Sequence, residues 1–318
     1  MVKKQNFELR REQLLDQYLS AKEADPSRFE RRLNLSWSNW GFGLEELEAS
    51  VERLAGNGLQ YVELHGNHYG PSLGYQVEET RRILDAAGMS VSGVCGMFSD
   101  DNDLSSNRPI KQQEALDYII REARFASEIG GHYLLVVPAS CGRPDALDAY
   151  EFERSVRALR QVADVFVETG VKAAIEPIRS AEVSIIHTVA DAVSYIDAVD
   201  HEGVQWINGD VYHMQSEEPD IAAAILEAGD RLVNLHMADS NRCALGQGSM
   251  DLDAIIMAAY LVGMNEEGRF ITPEPLGPGA GPYPARNGMP DAASLDALVR
   301  DSVTYFKERE EFVRELAR

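Results

Sequence analysis

Cysteine is scarce in this chain: Cys95, Cys141 and Cys243 are the three present among 318 residues. An odd count without paired spacing argues against a disulfide framework or a zinc cluster and suits a reducing cytoplasm. Positive charge is short as well, with 30 Lys and Arg against 52 Asp and Glu and a net charge of −22. That field repels a phosphate backbone, and no Lys/Arg cluster relieves it locally, so nucleic acid is not an expected partner. Long apolar runs are missing; none approaches the ~20 residues of a membrane span. The first residues, MVKKQNFELRREQ, lack the apolar centre of a signal peptide. The expectation is a soluble, cytoplasmic protein without a membrane partner. Also missing are a G-x-G-x-x-G after the first strand-like segment and a P-loop, the usual marks of a doubly wound nucleotide-binding sheet.

What the chain does have is a repeated alternation. Residues 1–32 are highly charged, with Phe7, Leu14, Leu15 and Leu19 loosely at helical spacing, until Asp25-Pro26-Ser27 breaks the pattern. They read as an N-terminal helical extension. From Leu33, apolar runs and helical patterns take turns. Expected strands are Leu33–Trp37, Tyr61–His65, Val91–Met97, His132–Val137, 171–175, Val204–Asp210, Leu232–His236 and Phe270–Glu274. After the first, Leu44, Leu47, Val51 and Leu54 mark one helical face. After the fourth, Phe152, Val156, Leu159, Val162 and Phe166 mark another. Eight strand–helix units over 33–318 predict a (β/α)8 TIM barrel as the catalytic domain. Two long connections, Ser99–Pro109 and Leu276–Asp291, are placed to shape a pocket or an interface at the catalytic face.

The chemistry concentrates at four of these strand ends. The run Val171-Lys172-Ala173-Ala174-Ile175 leads into Glu176 and then Pro177, which cannot continue a ladder. Asp210, His236 and Glu274 end the next three strands, about one strand–helix unit apart. Neighbouring strand ends in a barrel converge, so four such side chains can reach one point. Three carboxylates and one imidazole suit one hard or borderline divalent ion: Mn²⁺ first, with Co²⁺ and Mg²⁺ as alternatives. Zinc would more often draw on Cys or several His.

The ordered motifs resemble the xylose-isomerase-like superfamily of TIM barrels, and within it the tagatose/psicose 3-epimerase type. They are Glu176-Pro177, Asp210-Val211-Tyr212-His213-Met214, His236 with Arg242 six residues on, Glu274-Pro275, and Glu182 six residues past Glu176. The resemblance implies that Glu176, Asp210, His236 and Glu274 are metal ligands and that Glu176 and Glu274 are the catalytic acid/base pair. It also implies that Glu182, His213 and Arg242 bind substrate hydroxyls. The implied reaction is sugar isomerisation or epimerisation: a proton next to a carbonyl is removed, giving an enediolate, and is then returned.

The chain departs from that pattern. Arg179 and Ser180 stand between the two glutamates, and the loop 276–291 is long and rich in Pro and Gly. Trp37, Trp40 and Phe42 near the first strand end read equally as a stacking surface for a sugar or as core. His65 reads as an extra acid/base near the pocket and His132 as structural. The departures leave open a second reading, the large subunit of a C-glycoside deglycosidase, a lyase cleaving 3-oxo-C-glycosides beside a small β-rich subunit. A sugar or sugar-derived small molecule is the expected partner, in a homo-oligomer or, under the lyase reading, a hetero-oligomer. An endonuclease-IV-like repair enzyme needs more His ligands and a basic face. A non-catalytic binding protein would more often have lost a ligand.

Overall fold

The computed structural model describes residues 4–66, 74–276 and 291–317. Seven parallel strands form one sheet in sequence order: β1 Tyr61–His65, β2 Ser90–Cys95, β3 Tyr133–Val136, β4 Lys172–Ile175, β5 Trp206–Asp210, β6 Leu232–Met237 and β7 Phe270–Pro273. The segment expected as the first strand is extended but pairs too sparsely to count as one. It bridges both edges instead, Leu35 to Ile271 on β7 and Ser38 to Glu63 on β1. Ser36 N donates to Ile271 O (2.8 Å), and Glu63 N donates to Trp37 O (2.8 Å). This segment closes the barrel between β7 and β1. Its run is short because the chain turns at once into a 3₁₀ turn, Asn39–Phe42.

Around the barrel lie α2 Leu47–Gly56, α3 Val77–Ala87, α4 Pro109–Glu128, α5 Glu151–Val162, α6 Asp164–Thr169, α7 Val189–Val199, α8 Val211–Glu217, α9 Ile221–Ala228, α10 Leu252–Leu261 and α11 Ala292–Glu315. The single helix expected through Phe166 is broken at Ala163 into α5 and α6. The short α8 is an addition to the expected pattern. Asp210 caps its N-terminus, accepting from Tyr212 N at 2.7 Å. No helix among the described residues is long and apolar enough to cross a membrane.

Side chains alternate across each strand, so every second residue faces the barrel axis. Three layers result. Tyr61, Trp206 and Phe270 fill the amino-terminal end, with Tyr61 and Phe270 ring centres 5.0 Å apart. Two residues further along lies a polar layer. Thr272 Oγ1 donates to Asn234 Oδ1 (2.6 Å), Asn234 Nδ2 to Asn208 Oδ1 (2.7 Å), and Tyr133 Oη to Glu63 Oε1 (2.7 Å). Two residues further again stand the candidate ligands.

The helix α1, Asn6–Ala24, packs on the barrel's outer layer. Tyr18 is fully buried, its ring 5.3 Å from Phe29 and 6.4 Å from Tyr260, and its hydroxyl donates to Val313 O (3.2 Å). Tyr18→Ala should cost about 3–5 kcal/mol, as for other buried aromatics, while Tyr18→Phe loses one hydrogen bond worth about 1 kcal/mol. Urea denaturation measures both. A shift in Tyr18→Ala below about 1 kcal/mol would mean that the extension adds nothing to barrel stability.

Candidate metal centre and substrate cavity

Glu176, Asp210, His236 and Glu274 are all buried at the carboxyl-terminal ends of β4 to β7. Each is placed by its strand: Glu176 N donates to Val136 O (3.1 Å) and Glu274 N to Met237 O (2.8 Å). His236 Nδ1 lies 3.5 Å from Glu176 Oε1 and 3.7 Å from Glu274 Oε2. Donor atoms of Glu176, Asp210 and His236 all fall within 4.8 Å of one another, as do those of Glu63, Cys95, His236 and Glu274. His236 is common to both groups and ties them into one centre.

The centre is short of positive charge. Burial pushes the Glu274 carboxyl up to about 8, with Asp210 and Glu63 adding to the rise and His236 and Arg242 opposing it. Burial by itself would lower the pKa of His236. Glu274, Glu63 and Glu176 overcome it and hold the imidazole well above its ordinary value. In the chain alone, protons must therefore offset the buried negative charge. A divalent cation among the same oxygens and Nδ1 would supply that charge, so the donor set fits one.

Sequence reasoning missed Glu63. It is fully buried, and His236 Nε2 lies 2.9 Å from its Oε1 and 3.0 Å from its Oε2. Burial alone would raise its pKa, but the adjacent His236 and the hydrogen bonds from His236 and Tyr133 bring it below the usual carboxylate value. With Glu63 on Nε2, Nδ1 is left to face Glu176 and Glu274, which fixes the ring's orientation. Asn208 Nδ2 likewise donates to Glu176 Oε1 (2.9 Å). The sequence does show the rest of this polar layer, since Asn208, Asn234 and Thr272 each stand two residues before a candidate ligand.

A cavity of about 290 Å³ opens over this centre. Trp40, Met97, Phe98, Val137 and Ile178 form its apolar wall, opposed by Glu176, Glu182, His213, His236, Arg242 and Glu274. The three residues expected to bind substrate are thus brought together. His213 Nε2 lies 3.3 Å from Asp210 Oδ2, while His213 Nδ1 and Arg242 Nε are buried with no hydrogen-bond partner among the described residues. Burial opposes the charge of Arg242, but Asp210, Glu274 and Glu182 outweigh it and raise its pKa.

Two expected contacts are corrected. Trp37 is 1% exposed and stacks on Phe42 (6.1 Å) in the core, since Ser36 and Ser38 take the barrel-facing side of that segment. The 3₁₀ turn brings Trp40 to the cavity in its place. His65 borders a different hollow, with Tyr75, Glu122 and Phe125, and does not line the substrate cavity. His132 stands at the base of the barrel, 5.3 Å from the Phe270 ring, as a structural residue does.

The loop Ser99–Pro109 is packed: Asp103, Leu104, Ser105 and Ser106 are buried. Arg143 ties it down, reaching Asp103 Oδ2 (3.0 Å), Ser105 Oγ (2.8 Å), Glu151 Oε1 (2.6 Å) and Ser184 Oγ (3.2 Å). One side chain so joins three connections at the cavity rim. Of the Pro-rich loop, 277–290 lies outside the described residues; Leu276 N donates to Arg242 O (3.0 Å). Arg179 binds Glu182, with Nε 2.5 Å from Oε1.

A parallel barrel with an imidazole and buried carboxylates converging at its carboxyl-terminal strand ends defines a TIM barrel with a buried cluster of groups that could hold a metal ion. The chain belongs to the xylose isomerase-like TIM barrel family, whose model matches residues 51–285. It is 32% identical over 198 residues, 58% of this chain and 73% of the relative, to a 3-dehydro-D-guloside 4-epimerase of Escherichia coli (strain K12). It is 25% identical over 224 residues, 70% of this chain and 76% of the relative, to a ketose 3-epimerase of Arthrobacter globiformis. Among solved structures, an L-ribulose 3-epimerase superposes with a TM-score of 0.75 at 20% identity, covering 89% of this chain and 96% of that one, which shows the shared fold.

Glu63→Gln keeps the shape but leaves His236 without its carboxylate partner. It should weaken divalent-metal affinity about 10–100-fold, read by titration of the metal-free protein with Mn²⁺. Asp210→Ala should lose the metal outright while circular dichroism keeps its native form. Unchanged metal binding in both variants would place the ion elsewhere.

Proposed function

We propose that this protein is a divalent-metal-dependent sugar epimerase that inverts a carbon next to a carbonyl. The observation that carries the reading is the order of the four residues around the barrel. Glu176 after β4 and Glu274 after β7 stand at the two ends of an arc, with Asp210 and His236 between them. Two carboxylates so separated approach a substrate carbon from opposite faces, as inversion requires. The relatives' names fit one chemistry, since a ketose inverted at position 3 and a 3-dehydro sugar inverted at position 4 both react next to a carbonyl. The lyase alternative finds no support among these relatives and is not carried forward.

A bound divalent ion supplies Lewis-acid stabilisation of the charge that collects on the carbonyl oxygen when the neighbouring carbon loses its proton. The oxygen-rich donor set favours Mn²⁺, with Co²⁺ and Mg²⁺ as alternatives. One of Glu176 and Glu274 takes the proton, and the other delivers one to the opposite face. Glu182, His213 Nδ1 and Arg242 Nε hold sugar hydroxyls, which supplies the partners the two nitrogens lack. Trp40 and Phe98 cover the apolar face of the ring and keep water from it.

The cavity also argues for an uncharged substrate. Among its described lining residues, Arg242 is the one Lys or Arg, against Glu176, Glu182 and Glu274. A sugar phosphate would meet repulsion from these three carboxylates, so free ketoses and 3-oxo-glycosides are the substrate class.

Incubating the Mn²⁺-loaded protein with a panel of free ketoses and 3-oxo-glycosides in deuterated water tests the reading. The epimeric product should carry solvent deuterium at the inverted carbon. Glu176→Gln and Glu274→Gln should each lose about 10²–10⁴-fold in turnover while keeping more metal than Asp210→Ala. Product without deuterium, together with normal turnover by both variants, would refute proton transfer by this pair.

A further inference from the structure

Arg242 is the one Lys or Arg among the cavity's described lining residues. Its backbone is held: N donates to Asp239 O (2.8 Å), and O accepts from Leu276 N (3.0 Å). Asp239 in turn accepts from Gly246 N (2.8 Å) and Met250 N (3.0 Å). That loop keeps Arg242 at φ +59°, a left-handed conformation that a side-chain-bearing residue adopts only when its surroundings impose it. The guanidinium is a separate matter. Nε has no hydrogen-bond partner among the described residues, and the group lies 4.4 Å from the ring centre of Tyr212 and 5.8 Å from that of Trp40.

Tyr212 meets a second guanidinium. Arg179 lies 4.9 Å from the same ring centre, and its Nη1 donates to the Tyr212 hydroxyl (2.9 Å). Arg179 Nε is also bound to Glu182. Tyr212 itself is fixed from below, because its backbone N is bound by Asp210 and it sits in the first turn of α8. One ring therefore joins the residues on both sides of the cavity's polar wall to the strand end that carries Asp210. Two like charges drawn to one aromatic face would repel each other. The Tyr212 hydroxyl and Glu182 engage Arg179 and so leave the ring to steady Arg242.

We propose that Tyr212 is a positioning residue for substrate recognition: its ring sets the Arg242 guanidinium, and its hydroxyl sets Arg179 and through it the Glu182 carboxylate. The role rests on reading the cavity as a sugar site, but the side-chain positioning does not need a substrate to be measured. Both the ring and the hydroxyl are required, and each has its own variant. Tyr212→Leu removes the ring that both guanidinium groups touch. Tyr212→Phe keeps the ring and removes the bond to Arg179.

Arginine-selective modification of the Mn²⁺-loaded protein by phenylglyoxal, mapped by mass spectrometry, reads guanidinium freedom directly. Tyr212→Leu should speed modification of Arg242 at least several-fold. Tyr212→Phe should speed Arg179 and leave Arg242 near the wild-type rate. On whichever panel sugar the wild type turns over, Tyr212→Leu should raise KM about tenfold, the loss expected for one cation–π contact in a partly desolvated site. Its kcat should stay within a few-fold. In the Arg242→Ala background Tyr212→Leu should cost no more than Tyr212→Phe does, since only the hydroxyl's hold on Arg179 and Glu182 is left to lose, whereas a general loss of structure would add. Should Tyr212→Leu fail to fold, Tyr212→Phe and Arg179→Met carry the test through Arg179 and Glu182. Wild-type modification rates at both arginines in the Tyr212 variants, or an additive double variant, would overturn the positioning role. A wild type that turns over none of the panel while Arg242 modification still responds to Tyr212 would count against the epimerase reading and leave the positioning intact.

Discussion

The structure depends on crowding negative charge at one buried point. Glu63, Glu176, Asp210 and Glu274 converge on a single imidazole, and burial with the nearby Asp210 and Glu63 charges raises the Glu274 carboxyl well above the usual carboxylate range. Such an arrangement is unfavourable in the chain alone and makes sense as a preorganised receptor for a cation. The neighbouring polar groups follow from it. Asn208 steadies Glu176, Glu63 fixes His236, and Ser38 donates to Glu274 (3.2 Å), so each of these side chains is oriented before an ion or substrate arrives.

A barrel meets this demand because its inward residues repeat every second position. The lower layer is aromatic and excludes water. The middle layer is amide, hydroxyl and carboxylate, and it spans β1, β3, β5, β6 and β7 through a chain of short hydrogen bonds. The top layer holds Asp210, His236 and Glu274, beside Glu176. A polar layer inside a barrel is costly unless every group is paired, and here the pairing runs from Thr272 to Glu63 and up to His236. Rigidity at the floor is what lets the reactive carboxylates keep their places.

The cavity's outer walls are built differently, from connections rather than strands. Arg143 pins the polar loop after β2 to the segments flanking α5 and following β4. Asp239 folds the loop after β6 so that Arg242 turns inward, and Tyr212 meets it from the loop's far side. The candidate metal-binding cluster thus sits at strand ends, while much of the cavity wall comes from connections, which vary more readily than strands do among proteins of one fold.

The sequence by itself determined the barrel and the placing of Glu176, Asp210, His236 and Glu274 at successive strand ends. These are local facts: apolar runs end at a carboxylate or imidazole, a proline stops the ladder, and helical spacing follows. The tertiary structure decided what depends on partners far along the chain. Glu63 lies 173 positions from the imidazole it orients, and no local pattern connects them. Trp37 and Trp40 look alike in sequence, yet one strand-side alternation and one 3₁₀ turn send the first into the core and the second to the cavity. His65 ends a strand as the ligands do, but it borders another hollow, with Tyr75, Glu122 and Phe125. The barrel's closing segment reads as a strand and behaves as a bridge, because hydrogen bonding depends on what stands on either side. Period and punctuation belong to a stretch of chain; burial, partnership and orientation belong to the folded whole.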